Sequence, residues 1–181
     1  MLSSAPAGAP KAKLAQMLAY GAEVILVEGN YDTATALSLE VSRELGWYCR
    51  NTGYNPFTAE GKKTAAFEIC EQLTRELDPY KKQDRWLAPE AVFVSVGDGN
   101  IISGIHKGFK DLLALGLIEQ MPRIFGIQSE GSAAIANAFF AGTEEITPVA
   151  ATTMQPCSRA YSTAACMFGS ACEPPRLRLM I

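Results

Sequence analysis

The chain has 181 residues, a formal net charge of −3 and a pI of about 5.3, and 48% of its residues are hydrophobic while 19% are charged. This composition is typical of one globular domain with its own core, and it excludes a disordered chain. It shows no basic stripe for a nucleic acid, no apolar run long enough to span a membrane and no apolar secretory signal, so we expect a cytoplasmic protein.

The first half of the chain alternates helix and strand patterns. A first amphipathic helix is predicted to end at Gly21, which is a suitable C-terminal cap. The short apolar run Glu23–Val27 predicts a strand that is buried on both faces. Asp32 is the expected cap of a second helix, whose apolar stripe ends at Gly46. Three further segments are predicted: a weaker strand over 47–51, a turn-rich loop over 53–61 and a third helix over 66–77.

The second half repeats this alternation after a charged loop over 78–90. Ala91–Val96 has the strongest strand pattern in the chain, and a helix over 102–113 follows it. Arg123–Gln128 predicts another strand, followed by a helix that ends at Gly142. Alternating strands and helices predict an α/β fold with a parallel sheet and helices on both faces, in a three-layer αβα arrangement.

The sequence changes character near its end. We therefore divide it into an α/β core, 1–153, and an irregular tail, 154–181, which is expected to be flexible. The tail contains three of the five cysteines, but no Cys-x-x-Cys pair occurs in the chain. This spacing argues against a disulfide framework and against a structural zinc site, so no metal is expected, although the three tail cysteines leave metal binding open as an alternative.

A glycine-rich loop separates the strongest strand from its helix. Its residues Gly97, Asp98, Gly99, Asn100 and Ile101 follow the strand directly. Glycines let the backbone approach an anion, and the first turn of a helix offers unpaired N–H groups with a partial positive charge. We therefore expect the amides of residues 98–101 to surround a phosphate. The alternative is a glycine-rich turn that binds no ligand.

Two known phosphate loops can be compared with this segment. The Walker pattern Gly-x-x-x-x-Gly-Lys-Ser/Thr does not occur here. The dinucleotide pattern Gly-x-Gly-x-x-Gly nearly fits, but Ser103 stands in the place of the third glycine and Gly104 comes one residue late. Glu130, after the next strand, would take the part of the acid that binds a ribose. A nicotinamide-binding protein is thus a second hypothesis.

Longer stretches of the sequence support a more specific hypothesis. Four blocks that occur in a family's order along roughly Pro10–Thr153 are KLAQMLAYGAEVILVEGNYDTA, YNPFTAEGKKTAAFEICEQL, VFVSVGDGNIISGIHKGFKDL and AIANAFFAGTEEITPV. Together they resemble threonine synthase, a pyridoxal-phosphate enzyme whose fold is shared with tryptophan synthase β and threonine dehydratase. The resemblance implies a partial type II fold of this enzyme class, with pyridoxal 5'-phosphate as cofactor. It also implies that residues 97–101 hold the cofactor phosphate and that the stretch 55–64 leads into a helix.

The sequence also departs from this family. The motif of the lysine that forms the Schiff base and the loop that binds the substrate carboxylate have no match, and the chain resembles the central piece of such an enzyme. The four lysines Lys11, Lys13, Lys62 and Lys63 do not match the Schiff-base position and are expected to be solvated. Three other polar residues are expected to have structural rather than catalytic roles. His106 is expected at the boundary between surface and core, Asp98 is expected to shape the loop, and Glu60 is expected at a helix start after Thr58.

The resemblance implies a function like that of threonine synthase, which converts O-phosphohomoserine and water into threonine and phosphate. Without a matched lysine, the isolated chain is expected to be inactive. The alternatives are a non-catalytic module that binds a phosphate or cofactor, and the nicotinamide-binding protein. The expected partners are a small phosphate-bearing ligand and a second chain, either in a homodimer or as a complementing chain that supplies the lysine.

Overall fold

The protein is built on two parallel sheets. The structure is a computed structural model that describes residues 1–78, 80, 85–149 and 177–180. One sheet pairs β1 with β2, and the other has the order β3-β4-β5. The strands are β1 (Leu2–Pro6), β2 (Glu23–Val27), β3 (Ala91–Ser95), β4 (Arg123–Ile127) and β5 (Leu177–Met180).

Helices connect the parallel strands, since parallel neighbours require a crossover. The described helices are α1 (Lys11–Ala19), α2 (Tyr31–Glu44), α3 (Pro56–Lys62), α4 (Thr64–Leu77), α5 (Asn100–Ala114) and α6 (Ala134–Ala141). None of the helices within the described residues is long and apolar enough to cross a membrane. The α/β class with parallel strands is therefore confirmed, as are the strands that begin at Glu23, Ala91 and Arg123.

The core surrounds α5. Ile102, Phe109 and Leu112 of α5 lie one or two helical turns apart along the helix, so they share one face. All three are fully buried. They pack in one cluster with Val94 of β3 and Ile124 of β4. Burial of this stripe fixes α5, and with it the loop before it, against the larger sheet.

Two glycines let α3 and α4 approach α5 closely. A Cβ on Gly104 would lie 2.7 Å from Cβ of Lys62, and a Cβ on Gly108 would lie 2.8 Å from Cβ of Ala66. Real side chains do not approach so closely, so the helices would separate if these glycines had side chains. The end of α3 is thereby brought to the start of α5.

Three local predictions in the first half are wrong. Residues 47–51 form no strand, and the expected loop over 53–61 contains α3. Asn55 caps this helix by accepting the Phe57 N–H at 3.0 Å, and Pro56 occupies its first turn. The residues that suggested a turn therefore start a helix instead. Similarly, Asn30 rather than Asp32 caps α2, since its Oδ1 accepts the Thr33 N–H at 3.0 Å.

The smaller sheet is more exposed than predicted. Ile25 and Leu26 are 47% and 53% exposed, so β2 is not buried on both faces. Its partner β1 was not predicted, because its Ser, Ala and Pro residues have weak strand propensity. A two-stranded sheet leaves apolar side chains uncovered when only one face is packed, and α1 and α2 are the helices in contact with it.

The end of the tail differs from the prediction of an irregular segment. Leu177–Met180 forms β5 and pairs in parallel with Ile124–Ile127 of β4. Backbone pairing needs no periodic apolar face, which explains why the sequence pattern did not indicate it. Residues 154–176, including the three tail cysteines, lie outside the described residues, so the predictions made for them stay predictions.

Candidate functional site

The glycine loop lies between β3 and α5 and is held by its own side chains. Gly99 is the residue before α5 and has φ +83°, a left-handed conformation that glycine adopts without strain. The Asp98 carboxylate accepts the Asn100 N–H at 3.0 Å, and the Ser103 hydroxyl donates to the Gly99 carbonyl at 2.8 Å. The loop-shaping role predicted for Asp98 is confirmed, since this bond closes a turn.

Three backbone amides at the start of α5 remain available. Within the described part of the chain, the N–H groups of Gly99, Ile101 and Ile102 have no hydrogen-bond acceptor. They carry the partial positive charge of a helix N-terminus. The Asn100 amide does not join them, because Asp98 already accepts its N–H.

The Asn100 side chain connects three segments. It is 4% exposed, its Nδ2 donates to the Thr52 carbonyl at 3.0 Å, and its Oδ1 accepts from Lys62 Nζ at 2.6 Å. A buried amide with both ends bonded has one orientation. Asn100 therefore fixes the loop relative to the segment before α3 and to the end of α3.

Lys62 is half-buried at the site, so the expectation of a solvated surface lysine is wrong for it. Burial lowers the pKa of Lys62, while the nearby Asp98 charge acts in the opposite direction. In the described part of the chain Lys62 makes no ion pair with a carboxylate. The sequence carried no signal for this contact, because 38 residues separate Lys62 from Asn100.

A separate group of ion pairs lies along the seam between α3 and α5. Lys63 pairs with Glu60 at 2.9 Å and with Asp111 at 3.0 Å, and Lys107 pairs with the same two carboxylates at 3.0 Å. Hydrogen bonds to Glu60 and Asp111 raise the pKa of Lys63. Glu60 lies near the end of α3 rather than at a helix start, so its expected position is also wrong.

The structure does not bring the remaining candidates into the loop. Lys11 and Lys13 are exposed on α1, as expected, and His106 is half-buried, which confirms its boundary position. Glu130 is exposed in a short 3-10 turn after β4. A cavity of about 600 Å³ between β1, α2 and the segment 47–51 is lined by none of the residues 97–101.

Comparison with solved structures places this architecture among the type II pyridoxal-phosphate enzymes. Processed threonine deaminase isoform 2 of Solanum lycopersicum is similar over 99% of this chain and 47% of its own, with a TM-score of 0.67 and 22% identity. Maize serine racemase is similar over 99% of this chain and 48% of its own, with a TM-score of 0.72 and 19% identity. These likenesses confirm the fold class.

The chain belongs to the pyridoxal-phosphate dependent enzyme family, whose sequence profile matches residues 4–168. It is 41% identical to the threonine synthase of Methanocaldococcus jannaschii over 136 residues, which are 75% of this chain and 31% of that protein. It is 38% identical to the threonine synthase of Methanosarcina acetivorans, with the same coverage. The predicted resemblance is confirmed, and the chain spans about a third of the length of these relatives.

The residues of the loop suit the phosphate of pyridoxal 5'-phosphate, the cofactor of this family. Three features favour a bound anion: the left-handed glycine, the three amides without an acceptor among the described residues, and the partly buried ammonium group of Lys62. The nicotinamide alternative loses its support, because the family that matches the chain is a different one.

Proposed function

We propose that this chain provides the cofactor-phosphate site of an enzyme of the threonine synthase type. The reaction would convert O-phosphohomoserine and water into threonine and phosphate. The observation that carries the proposal is the left-handed Gly99 at the N-terminus of the 15-residue α5, directly after β3. Identity of 41% to a threonine synthase supports this reaction over those of the two solved structures described above, which are 22% and 19% identical.

The residues at the start of α5 have distinct parts in this proposal. The amides of Gly99, Ile101 and Ile102 would donate to the phosphate, and the Asn100 side chain would keep the loop in place. Because α5 is buried in the core, the phosphate would be held by a rigid element rather than by a mobile loop. When bound, pyridoxal phosphate supplies an electron sink that stabilises a carbanion on the amino acid.

The covalent lysine of such an enzyme is proposed to come from a second chain or from a complementing segment. Lys62 is bonded to the phosphate loop itself, and Lys63 is engaged by two carboxylates. A nucleophilic lysine must be free to attack the cofactor aldehyde, away from the phosphate. The chain alone is therefore expected to bind phosphate compounds without turnover.

A chimera tests the proposed reaction. The matching 136-residue stretch of the Methanocaldococcus jannaschii threonine synthase would be replaced by the corresponding part of this chain. The chimera should form threonine and release phosphate from O-phosphohomoserine, and the same chimera with Gly99→Val should not. A folded chimera that binds the cofactor but forms no threonine would favour the non-catalytic module instead.

A further inference from the structure

The position of the Lys62 ammonium is unusual for a lysine. It lies at the last residue of α3 and donates to Asn100, the first residue of α5, at 2.6 Å. A lysine ammonium has three N–H donors, and this is the one hydrogen bond that Lys62 makes within the described residues. This bond uses one donor and leaves the other two without an acceptor among the described residues.

The surroundings of this ammonium provide little compensating negative charge. The N-terminus of α5 carries a partial positive charge that disfavours a cation, and partial burial disfavours it further. Asp98 acts on it, but its carboxylate is bonded to the Asn100 amide. Four charged groups of α3, α5 and the residue between α3 and α4 pair with one another rather than with Lys62: Glu60, Lys63, Lys107 and Asp111.

Close packing holds Lys62 in this unfavourable place. The absent side chain of Gly104 leaves room for the Lys62 Cβ, since a Cβ at residue 104 would be 2.7 Å from it and 3.0 Å from the Ala59 carbonyl oxygen. The start of the Lys62 side chain is therefore fixed against α5. A cation that is fixed beside a helix N-terminus becomes favourable once an anion binds between them.

We propose that Lys62 is a binding residue of the phosphate site, whose ammonium donates to a phosphomonoester dianion held by the Gly99, Ile101 and Ile102 amides. This inference rests on the proposed function, because it takes the loop as the phosphate site. The phosphomonoester could be the cofactor or the phosphorylated amino-acid substrate, and both present the same dianion to Lys62. Asn100 acts as a positioning residue, since it orients the ammonium without contacting the anion.

Calorimetry on the full chain tests this assignment. The probes are inorganic phosphate, pyridoxine 5'-phosphate, pyridoxine and O-phosphohomoserine, none of which has an aldehyde that reacts with lysines. Lys62→Gln should weaken binding of inorganic phosphate and pyridoxine 5'-phosphate about tenfold or more, as expected for a lost charge-assisted hydrogen bond. Binding of pyridoxine should not change, and Lys62→Arg should retain most of the affinity because it keeps the charge. If O-phosphohomoserine alone loses affinity, the substrate rather than the cofactor is the source of the dianion.

Lys63→Gln is the matched control. It removes the same charge one residue along, from an ammonium that already pairs with Glu60 and Asp111. The phosphate affinity of Lys63→Gln should stay close to that of the wild type if Lys62 acts by direct contact with the phosphate rather than through the overall positive potential of the region. Above about pH 8, where the second ionisation of a phosphomonoester is complete, affinity of the wild type should fall with rising pH, and the Lys62→Arg variant should not show this fall.

Chemical protection gives a second readout that needs no variant to fold. Acetylation of Lys62, followed by peptide mass mapping, should slow in the presence of inorganic phosphate, whereas acetylation of exposed Lys13 should not. If the wild type binds phosphate but Lys62→Gln binds equally well, or Lys62 is not protected, the Lys62 assignment is wrong and the loop assignment stands. If the wild type binds neither phosphate compound, both are wrong.

Discussion

Gly99→Val is the substitution that separates the backbone requirement of the loop from the stability of the fold. Gly99 has φ +83°, and a residue with a side chain pays roughly 1–2 kcal/mol for a left-handed conformation. For a chain of this size the thermal midpoint falls by about 2–4 °C per kcal/mol, so we expect a fall of roughly 2–8 °C. Because domains have roughly 5–15 kcal/mol of stability, the variant should still fold.

Phosphate binding should suffer much more than stability. The strained loop would move the amides of Gly99, Ile101 and Ile102, and each hydrogen bond to a charged group contributes about 1.5–3 kcal/mol. Loss of one such bond corresponds to about tenfold or more in affinity. Calorimetry with inorganic phosphate and pyridoxine 5'-phosphate measures this loss, and circular dichroism measures the thermal midpoint.

Gly116→Val provides the control at the opposite end of the same helix. Gly116 has φ +70°, and a Cβ there would meet no atom within 4 Å, so the variant carries similar strain away from the loop. It should lose comparable stability and keep its phosphate affinity. Equal phosphate affinity in the wild type and in Gly99→Val would refute the assignment of the loop.

Three further predictions concern stability. Gly108→Ala should lower the thermal midpoint by about 2–12 °C, because a Cβ would collide with the Lys63 carbonyl and with Ala66. Gly61→Ala is the control and should not lower it, because a Cβ there would meet no atom within 4 Å. An unchanged midpoint for Gly108→Ala would show that α4 can move away from α5. Burial raises the pKa of Asp111, but the hydrogen bonds and charges of Lys107 and Lys63 together lower it by more, so the contribution of Asp111 should be present near pH 7 and be lost as pH falls through that lowered pKa. Asp111→Asn should thus lower the midpoint at pH 7, with a deficit that shrinks as the pH is lowered, and a deficit that stays constant in acid would point to packing instead. Deleting 177–181 should lower the midpoint because β4 loses the backbone partners of β5, whereas an unchanged midpoint would mean that this pairing does not contribute to stability.

The regular elements of the larger sheet could be predicted because local pattern determines them. α5 has an apolar stripe, and β3 and β4 have apolar runs, because these are the parts that the fold buries. By contrast, β1 and β5 form through backbone pairing with distant strands, and their residues show no matching pattern. The helix α3 was missed because Asn55 and Pro56 are typical of turns as well as of helix starts.

The candidate site was likewise predictable only in part. The glycines and the helix start are contiguous in sequence, so the loop at residues 97–101 could be proposed from pattern alone. The role of Asp98 was also predictable, because its bond to Asn100 spans two residues. The contact of Lys62 depends on the close packing of α3 against Gly104, which only the three-dimensional arrangement brings about.

The most direct test of the central claim is an NMR titration of the ¹⁵N-labelled full chain with inorganic phosphate. The claim is that the start of α5 binds a phosphate through backbone amides. It predicts saturable shifts of the Gly99, Ile101 and Ile102 amide resonances, with little change at Gly116, and competition by pyridoxine 5'-phosphate but not by pyridoxine. Shifts that are absent at these three amides, or that occur equally at both ends of α5, would contradict it.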